Sequence, residues 1–271
     1  MKTQQVALVT GASSGIGKET ARQLLSDGLV VYAAARRIEK MKDLEELGAI
    51  VLKMDVTKEE DLIKAVNQIK EQHGGVDVLV NNAGYGLYGA VEDITIEEAR
   101  RQFEVNIFGL ARLTQLVLPY MRERQTGKII NISSIGGKIY FPLGAWYHAS
   151  KHALEGWSDS LRLELASFKI DVIIIEPGMI ETEFGEGLTA LMMERSGKSA
   201  YSDLAKKLEK AGTNGTIRGS HPSVIAKVIS KAVKSRNPKT RYVAGNMAKP
   251  LMFLRNVLSD RMFDKLILNT L

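Results

Sequence analysis

The stretch TGASSGIG at residues 10–17 joins a short apolar run, Val6–Val9, to an amphipathic pattern that extends from Lys18 to Asp27. A turn with so little side-chain bulk lets backbone N–H groups approach a phosphate, and a helix N-terminus adds roughly half a unit of positive charge. Its Gly-x-x-x-Gly-x-Gly spacing differs from the Gly-x-Gly-x-x-Gly dinucleotide fingerprint, although the order strand, turn, helix is the same. The stretch predicts a pyrophosphate-binding loop after the first strand, with an ordinary strand-to-helix turn as the alternative.

The alternation of short apolar runs and helical patterns continues along the chain. Near-continuous apolar strands joined by helices are typical of a parallel sheet that is covered on both faces. The sequence therefore predicts a doubly wound, mostly parallel α/β (Rossmann-like) sheet, with its ligand crevice past the carboxyl ends of the strands. The predicted strands are Val6–Val9, Val30–Ala34, Ala49–Leu52, Val76–Val80, Lys128–Ile132, Ile170–Ile175 and Arg241–Ala244.

We expect one domain over residues 1–271. The glycine-rich segment 183–220 is too short to support a core of its own, so it is predicted to be a small helical lid over the substrate. Residues 245–271 carry leucines at helical spacing and are predicted to form a helical tail. Such a tail would dock on its own subunit or on a sister subunit, and a membrane-surface helix is the alternative.

Composition and charge exclude several classes of protein. The chain has no cysteine, which excludes disulfides, thiolate catalysis and Cys-ligated metal sites. The net charge of +6 arises from 37 Lys+Arg and 31 Asp+Glu without a basic run interleaved with aromatics, so no nucleic-acid partner is expected. The N-terminus shows no signal-peptide pattern, and no apolar run approaches the ~18 residues needed to span a bilayer. We expect a cytoplasmic protein that touches membranes at most peripherally.

Three further motifs have the spacing of a known functional site but lack the structural context that such a site needs. Gly84–Gly89 spells Gly-x-Gly-x-x-Gly, but residues 90–95 do not open a helix. Gly11–Gly15 spells the Gly-x-Ser-x-Gly of hydrolases, but only one strand precedes it, so no upstream loop can supply an oxyanion hole. His148 and His152 have the i, i+4 spacing of a zinc pair, but no third ligand is in view, so we expect no metal site.

Two adjacent cations follow the second strand. Arg36 and Arg37 lie about 20 residues after the last loop glycine, where a carboxylate would hydrogen-bond a free ribose 2′-OH. A guanidinium group instead binds a 2′-phosphate, so the predicted cofactor is NADP(H), and a solvated arginine pair that caps the next helix is the alternative. Asp55, just after the third strand, is placed to accept a hydrogen bond from adenine, to cap the helix that begins near Lys58, or to do both.

Tyr147 and Lys151 are spaced i, i+4, which places the ammonium beneath the phenol on one helix face. Lowering a phenol pKa from near 10 by ~2 to 3 units takes roughly 3 to 4 kcal/mol of phenolate stabilisation. A close lysine and a nicotinamide cation in a desolvated cleft can supply it. Ser134, at the end of the fifth strand, can donate to a substrate oxygen while Tyr147 exchanges a proton. These residues predict hydride transfer between a nicotinamide and a carbinol carbon.

Six pieces of sequence occur in order: Thr10-Gly11-x3-Gly15-x-Gly17, Asn81-Asn82-Ala83-Gly84, Asn106, Ser134, Tyr147-x3-Lys151 and Pro177-Gly178-x3-Thr182. With them, the chain resembles the short-chain dehydrogenase/reductase family over residues 5 to about 182. The resemblance implies that Ser134, Tyr147 and Lys151 are catalytic. It also implies a fourth member, Asn106, which would hold a helix kink and a water that links Lys151 to bulk solvent.

The resemblance also implies a cofactor site. Asn82–Gly84 would line the site of the cofactor's adenosine, while Pro177-Gly178 and Thr182 would contact the face and the amide of its nicotinamide. The predicted cofactor-binding residues are Gly11, Ser13, Ser14, Gly15, Ile16, Gly17, Arg36, Arg37, Asp55, Val56, Asn82, Ala83, Gly84, Ile132, Tyr147, Lys151, Pro177, Gly178, Ile180 and Thr182.

The predicted function is NADP(H)-dependent interconversion of a secondary alcohol and a carbonyl compound, with Tyr147 as acid/base. The segment from Tyr147 to Leu165 resembles the branch that includes 17β-hydroxysteroid and retinol dehydrogenases, so we expect a lipophilic substrate. The resemblance further implies a homodimer or homotetramer built through the helices near 97–122 and 150–167. The alternative from another class is a non-catalytic NADPH-sensing protein, but its usual sign, a broken Ser-Tyr-Lys set, is not found here.

Overall fold

A parallel sheet lies at the centre of the structure, a computed structural model that describes residues 4–213 and 219–270. Its strands are β1 Val6–Thr10, β2 Val30–Ala35, β3 Ile50–Lys53, β4 Val78–Asn81, β5 Gly127–Ile132, β6 Ile170–Pro177 and β7 Arg241–Ala244. They pair in the order β3-β2-β1-β4-β5-β6-β7, and every pair is parallel. The predicted doubly wound α/β fold is confirmed. Its strand order reverses between β1 and β4, which is where sheets of this kind bind ligands.

Helices cover both faces of the sheet. They are α1 Gly15–Ser26, α2 Lys42–Glu46, α3 Glu59–His73, α4 Ile96–Phe103, α5 Gly109–Arg124, α6 Ala145–Leu165, α7 Glu183–Ser196, α8 Ser202–Thr213, α9 Ser223–Lys234, α10 Ala248–Val257 and α11 Asp260–Asn269. Successive residues of a strand point to opposite faces. Ala7 and Val9 therefore pack with α1 and α9, whereas Val6 and Leu8 pack with α3, α5 and α6. Both faces are buried, which explains why the strands are apolar throughout.

The strand register brings the loops that follow β1, β4, β5 and β6 to one edge of the sheet. Val9 of β1 is level with Val80 of β4, and Asn81 of β4 is level with Asn131 of β5. β5 pairs with β6 along its whole length, from Gly127 to Ile132. Each loop that the sequence analysis singled out starts at this edge, so the residues on these loops form a single candidate site.

The part of the chain after β6 is mainly helical. The helical residues of the predicted tail form two helices, α10 and α11, which are separated at Leu258 and Ser259. Phe263 of α11 is buried in a cluster with Ile135 and Ile139, so the tail packs on its own chain. Residues 214–218, within the predicted lid, lie outside the described residues. None of the helices in the described ranges is long and apolar enough to cross a membrane.

Candidate active site

The glycines of the first loop are required by its geometry. Gly11 and Gly15 have φ angles of 66° and 53°, in the left-handed region that side chains rarely adopt. A Cβ on Gly17 would lie 2.4 Å from both the Asn82 Nδ2 and the Gly11 carbonyl oxygen. The loop can therefore keep this shape only with glycine at all three positions, and it leads directly into the N-terminus of α1.

Asn82 holds the loop from the neighbouring strand. Its Nδ2 donates to the Thr10 carbonyl oxygen at 2.8 Å, and the Thr10 hydroxyl accepts from the backbone N–H groups of Asn82 and Ala83 at 3.0 and 2.9 Å. A Cβ on Gly84 would lie 3.1 Å from the Asn106 Oδ1, so the chain passes close to that side chain as well. The Asn-Asn-Ala-Gly turn thus fastens the phosphate loop to the end of β4.

The cations after β2 are bound to an acid from the far side of the cleft. The Arg37 Nη2 lies 2.9 Å from a Glu183 carboxylate oxygen, and the Lys40 Nζ lies 2.7 Å from the other. These two hydrogen bonds, Lys40 first, lower the pKa of Glu183. The same Arg37 nitrogen is 3.4 Å from the Ser13 hydroxyl and 3.5 Å from the Ser14 hydroxyl. Arg37 therefore lies at the glycine-rich loop together with Lys40, a cation that was not predicted from the sequence although it follows three residues later.

A cavity of about 590 Å³ opens beside this group. Its lining residues are Ser13, Ser14, Gly15, Lys18, Glu39, Lys40, Lys42, Asp43, Glu46 and Glu183. The hydroxyls, the three ammonium groups and the N-terminus of α1 are groups that bind phosphate, and four carboxylates share the lining with them. Arg36 is exposed and contributes its charge to the field at Asp55.

Asp55 closes a turn and does not cap the next helix. Its Oδ1 accepts hydrogen bonds from the Thr57 backbone N–H at 3.0 Å and from the Thr57 hydroxyl at 2.8 Å. The N-cap of α3 is Lys58, without a side-chain capping bond, so the helix-cap alternative was wrong. Burial raises the pKa of Asp55, but the Thr57 hydrogen bonds and the charges of Arg101 and Arg36 outweigh it and leave this pKa below its usual value. Asp55 is thus an ionised acceptor near the cleft.

The proposed catalytic residues meet between β5 and α6. Tyr147 and Lys151 are 7% and 8% exposed, and both lie on the buried side of α6. The Tyr147 hydroxyl is hydrogen-bonded to the Ser134 hydroxyl, which also accepts from the Gly136 backbone N–H at 3.0 Å. The Lys151 Nζ donates to the Ile132 carbonyl oxygen at 2.8 Å. The structure thus brings Ser134 and Tyr147 into contact and places Lys151 one helical turn further along the same buried face of α6.

The pKa values of this group are controlled by burial. Burial raises the pKa of Tyr147 to about 12, although the Ser134 hydrogen bond opposes the shift. Burial lowers the pKa of Lys151 to about 8, and here the charge of Glu155 opposes the shift. The protein side chains by themselves therefore do not produce the lowered phenol pKa that the sequence analysis expects, because desolvation outweighs them.

Asn106 lies in a π-helical segment, Glu104–Phe108, between α4 and α5. Its Nδ2 donates to the Tyr85 carbonyl oxygen at 3.0 Å and to the Ser150 hydroxyl at 3.1 Å, while its Oδ1 accepts from the Tyr85 backbone N–H at 3.1 Å. The Gln102 side chain holds the same loop, since its amide nitrogen donates to the Tyr85 carbonyl oxygen and its oxygen accepts from the Leu87 N–H. Asn106 thus connects the loop after β4 to α6 beside Lys151.

Pro177, Gly178 and Thr182 bring the chain back across the cleft. A Cβ on Gly178 would lie 2.2 Å from the Asn246 carbonyl oxygen, so glycine is needed where β6 ends. The Thr182 Cγ2 would be 2.9 Å from a Cβ on Gly15, which places the start of α7 against the phosphate loop. Of the predicted apolar contacts, Val56 and Ile132 are buried, and Ile16 and Ile180 are partly buried.

On the other side of Tyr147 the chain is aromatic and apolar. The Tyr88 ring lies 5.7 Å from the Tyr147 ring, measured between centroids. Tyr88 also packs on a cluster that includes Ala90, Leu143 and Met192. An apolar wall therefore adjoins the phenol, and the helix α7 contributes to it.

Neither histidine of the i, i+4 pair is placed as a metal ligand. The His148 Nε2 accepts from the Phe141 N–H at 3.0 Å, and its Nδ1 lies 3.0 Å from the Gly136 carbonyl oxygen. The His152 Nδ1 bonds the His148 carbonyl oxygen at 2.9 Å. Among the described residues no group of three His, Cys, Asp or Glu side chains could hold a metal ion.

The chain is similar to known proteins over most of its length. Residues 5–191 match the family described as short chain dehydrogenase. The 3-ketodihydrosphingosine reductase of Bacteroides thetaiotaomicron is 40% identical over 91% of this chain and 90% of its own length. The NADPH-dependent 3-dehydrocapnine reductase of Ornithobacterium rhinotracheale is 37% identical over 96% of this chain and 95% of its own.

A crystal structure of a short-chain dehydrogenase from Streptomyces avermitilis matches with a TM-score of 0.80 and 35% identity, over 98% of this chain and 96% of that one. The likeness thus extends to both the sequence and the whole sheet with its helices. The chain belongs to the short-chain dehydrogenase/reductase family and is an NAD(P)-dependent oxidoreductase that acts on alcohol and carbonyl groups.

Proposed function

We propose that the chain is an NADP(H)-dependent carbonyl reductase for lipophilic ketones, with Tyr147 as its acid/base. The observation that carries this proposal is the buried contact between Ser134 and Tyr147, one helical turn from Lys151. Three groups of this chemistry, converging at the carboxyl edge of a dinucleotide-type sheet, can hold a carbonyl oxygen and exchange a proton with it.

The choice of NADP(H) rests on the cations after β2. Arg37 and Lys40 lie within hydrogen-bond distance of one carboxylate, so their charged groups are close enough together to share one 2′-phosphate. The relative from Ornithobacterium is named as NADPH-dependent. We assign the phosphates to the loop Gly11–Gly17, the adenosine to Asp55 and Asn82–Gly84, and the nicotinamide to the residues after β6.

In the proposed mechanism, the loop Gly11–Gly17 and the residues after β6 would hold NADP(H), which would supply the hydride and, in its oxidised form, a positive charge. Ser134 orients the substrate carbonyl oxygen through its hydroxyl. Tyr147 gives that oxygen its proton, and the ammonium of Lys151 favours the phenolate that is left. Asn106, through its bond to Ser150, holds α6 in register with the loop after β4. Water is kept from the phenol by the apolar wall that Tyr88 shares with Leu143 and Met192.

The lipophilic substrate class rests on that apolar wall and on two relatives. We propose that residues 183–220 form the substrate lid, in which Met192 faces the Tyr88 cluster, and an unbranched thioether adapts to apolar ligands of varied shape. The two relatives are named as reductases of 3-ketodihydrosphingosine and of 3-dehydrocapnine, compounds oxidised at carbon 3. Long-chain amino ketones are therefore the first substrates to try, ahead of steroids and retinoids.

The test is a series of ketones of graded chain length, from acetone to 3-ketodihydrosphingosine, with NADPH oxidation followed by absorbance. We expect catalytic efficiency to rise with chain length, because burial of about 100 Å² of apolar surface contributes roughly 2.5 kcal/mol. If small polar ketones are the best substrates, the lipophilic class is wrong while the reductase assignment survives.

We also propose a homodimer or homotetramer. Phe108, directly before α5, is 55% exposed and Leu163 of α6 is 74% exposed, and both lie in the regions predicted to mediate assembly, 97–122 and 150–167. Exposed large apolar side chains on long helices are typical of a subunit interface. A mass by light scattering that equals one chain would contradict this proposal.

A further inference from the structure

Two buried acids lie behind the proposed catalytic residues. Glu155 of α6 is 2% exposed and Glu176 of β6 is 1% exposed. The mechanism above uses neither of them. Buried carboxylates are costly unless they are paired, so the contacts of these two residues indicate what they do.

Cations reach the two acids from other elements. The Arg241 Nη2, from β7, lies 3.1 Å from the Glu155 Oε2 and 2.6 Å from the Asp159 Oδ2, and the Arg241 Nε lies 3.5 Å from Glu176. The Lys138 Nζ lies 3.1 Å from the same Glu155 oxygen. The Glu155 Oε1 and both Glu176 oxygens are buried without a hydrogen-bond partner in the described part of the chain. Arg162 pairs with the other Asp159 oxygen, Oδ1, so three acids of the cluster face three cations.

Glu155 is one helical turn after Lys151 and shares its buried face. The Glu155 side chain and the Lys151 backbone both border Gly137, because a Cβ there would lie 2.9 Å from the Glu155 Cγ and 3.1 Å from the Lys151 carbonyl oxygen. Glu155 is 2% exposed and Lys151 is 8% exposed, so little water screens a charge on either side chain. Glu155 is also the residue whose charge opposes the burial-induced fall of the Lys151 pKa.

The second acid contributes less charge. Burial first, and then the charge of Glu155, raise the pKa of Glu176 to about 7. Glu176 is therefore largely uncharged below neutral pH. The charged groups around Glu155 from α6, β6, β7 and the turn after β5 are thus Asp159, Glu176, Arg241 and Lys138, and the titratable group one helical turn before Lys151 is Tyr147.

We propose that Glu155 is a positioning residue for the reaction, in that its buried carboxylate holds Lys151 in the ammonium form while Arg241 and Lys138 set the strength of that effect. Lys151 must be cationic to favour the Tyr147 phenolate, so the cluster would decide how far into the alkaline range the enzyme works. The inference rests on the function proposed for Lys151.

The test is a titration of the Lys151 side chain by NMR, in full-length protein labelled with ¹³C at the lysine ε-carbon, with the resonance assigned by Lys151→Met. Glu155→Gln should move the Lys151 midpoint to lower pH by about half a unit or more, because it removes the negative charge that opposes the burial-induced fall of the Lys151 pKa. Lys138→Met should move the midpoint to higher pH, because it removes a cation that offsets Glu155.

Two variants serve as controls. Glu155→Asp keeps the charge and should restore most of the wild-type midpoint, and Asp159→Asn changes an acid of the same cluster that is 38% exposed and should move it by no more than about 0.2 unit. The alkaline limb of kcat should shift in the same order as the NMR midpoints. A purely structural role for Glu155 would lower the melting temperature without moving either quantity.

An unchanged midpoint in Glu155→Gln, or shifts of the same sign in Glu155→Gln and Lys138→Met, would overturn the inference. If Glu155→Gln does not fold, Lys138→Met still tests the direction of the shift in the Lys151 midpoint. The Lys138 side chain is 35% exposed, so we expect this variant to fold. Turnover is not needed for the titration. A Lys151→Met enzyme that keeps its rate would instead refute the proposed function.

Discussion

The proposed catalytic residues and the cations proposed to bind the cofactor lie at the same edge of the sheet, but their surroundings differ. Tyr147 and Lys151 are 7% and 8% exposed, whereas the side chains of Arg37 and Lys40 are 44% and 42% exposed. Burial moves the pKa of the first pair to about 12 and about 8. Salt and water screen the ion pairs of the second. Changes in the buried region should therefore have large effects, and changes in the exposed region should have small effects that depend on salt.

The largest effect is expected at the phenol. Tyr147→Phe removes the proton donor and keeps the ring, so kcat should fall by about 10² to 10⁴ while NADPH affinity changes little. Fluorescence titration and steady-state rates measure the two quantities separately. Tyr88→Phe is the matched control, since it removes a hydroxyl from the neighbouring ring and should leave most of the rate. A Tyr147→Phe enzyme that keeps its rate would show that another group is the acid.

A smaller effect is expected in the exposed region. Arg37→Ala combined with Lys40→Ala should raise the NADPH Kd by roughly tenfold, because two charge-assisted contacts are lost but both are screened. The NADH Kd should hardly change, and the loss should shrink as salt is raised. Lys42→Ala alters a cation of the same cavity that is not bound to Glu183, so it should change the Kd little. Equal affinity of the wild type for NADH and NADPH would contradict the cofactor assignment.

Two adjacent residues of α7 allow a buried and an exposed side chain to be compared directly. Met192 is 4% exposed and Leu191 is 42% exposed. Met192→Ser should therefore reduce the preference for long-chain over short-chain ketones by several-fold to about tenfold, whereas Leu191→Ser should leave it nearly unchanged. The measurement is kcat/KM for the two ketones. Equal losses in both variants would mean that the apolar wall does not touch the substrate.

The smallest effect is expected at Glu183, and it has the opposite sign. Glu183→Gln removes the carboxylate that binds Arg37 and Lys40, which leaves both cations to a 2′-phosphate, so NADPH should bind about two- to threefold more tightly at low salt. Glu39→Gln, an acid of the same cavity, is the control. Weaker NADPH binding in Glu183→Gln would show that Glu183 supports the cofactor and does not compete with it.

The sequence predicted those features that depend on short-range pattern. Continuous apolar runs were enough to predict the strands, because a parallel sheet is buried on both faces. The i, i+4 spacing was enough to place Tyr147 and Lys151 on one face of a helix. Even there, the direction of the phenol pKa shift could not be predicted, since it depends on how completely the fold buries the ring.

Contacts between distant residues could not be predicted in this way. Asn82 bonds Thr10 across 72 residues, and Arg37 bonds Glu183 across 146 residues. No local pattern encodes either pair. The Glu155 cluster was missed for the same reason, because Glu155 reads as one more polar residue of an amphipathic helix until β7 places Arg241 beside it.

The amides of Gln102 and Asn106 have a consequence for the loop after β4, which has no regular secondary structure between residues 82 and 90. Each side chain offers a donor and an acceptor, as a peptide group does, and together they bond the backbone of Tyr85 and Leu87 as a neighbouring strand would. The two amide side chains, one on α4 and one on the π-helical segment after it, thus take the place of a neighbouring strand. The amide hydrogens of Tyr85 and Leu87 should accordingly exchange with solvent at strand-like rates. The loop can then vary in sequence and still present its side chains to the cleft from a fixed backbone.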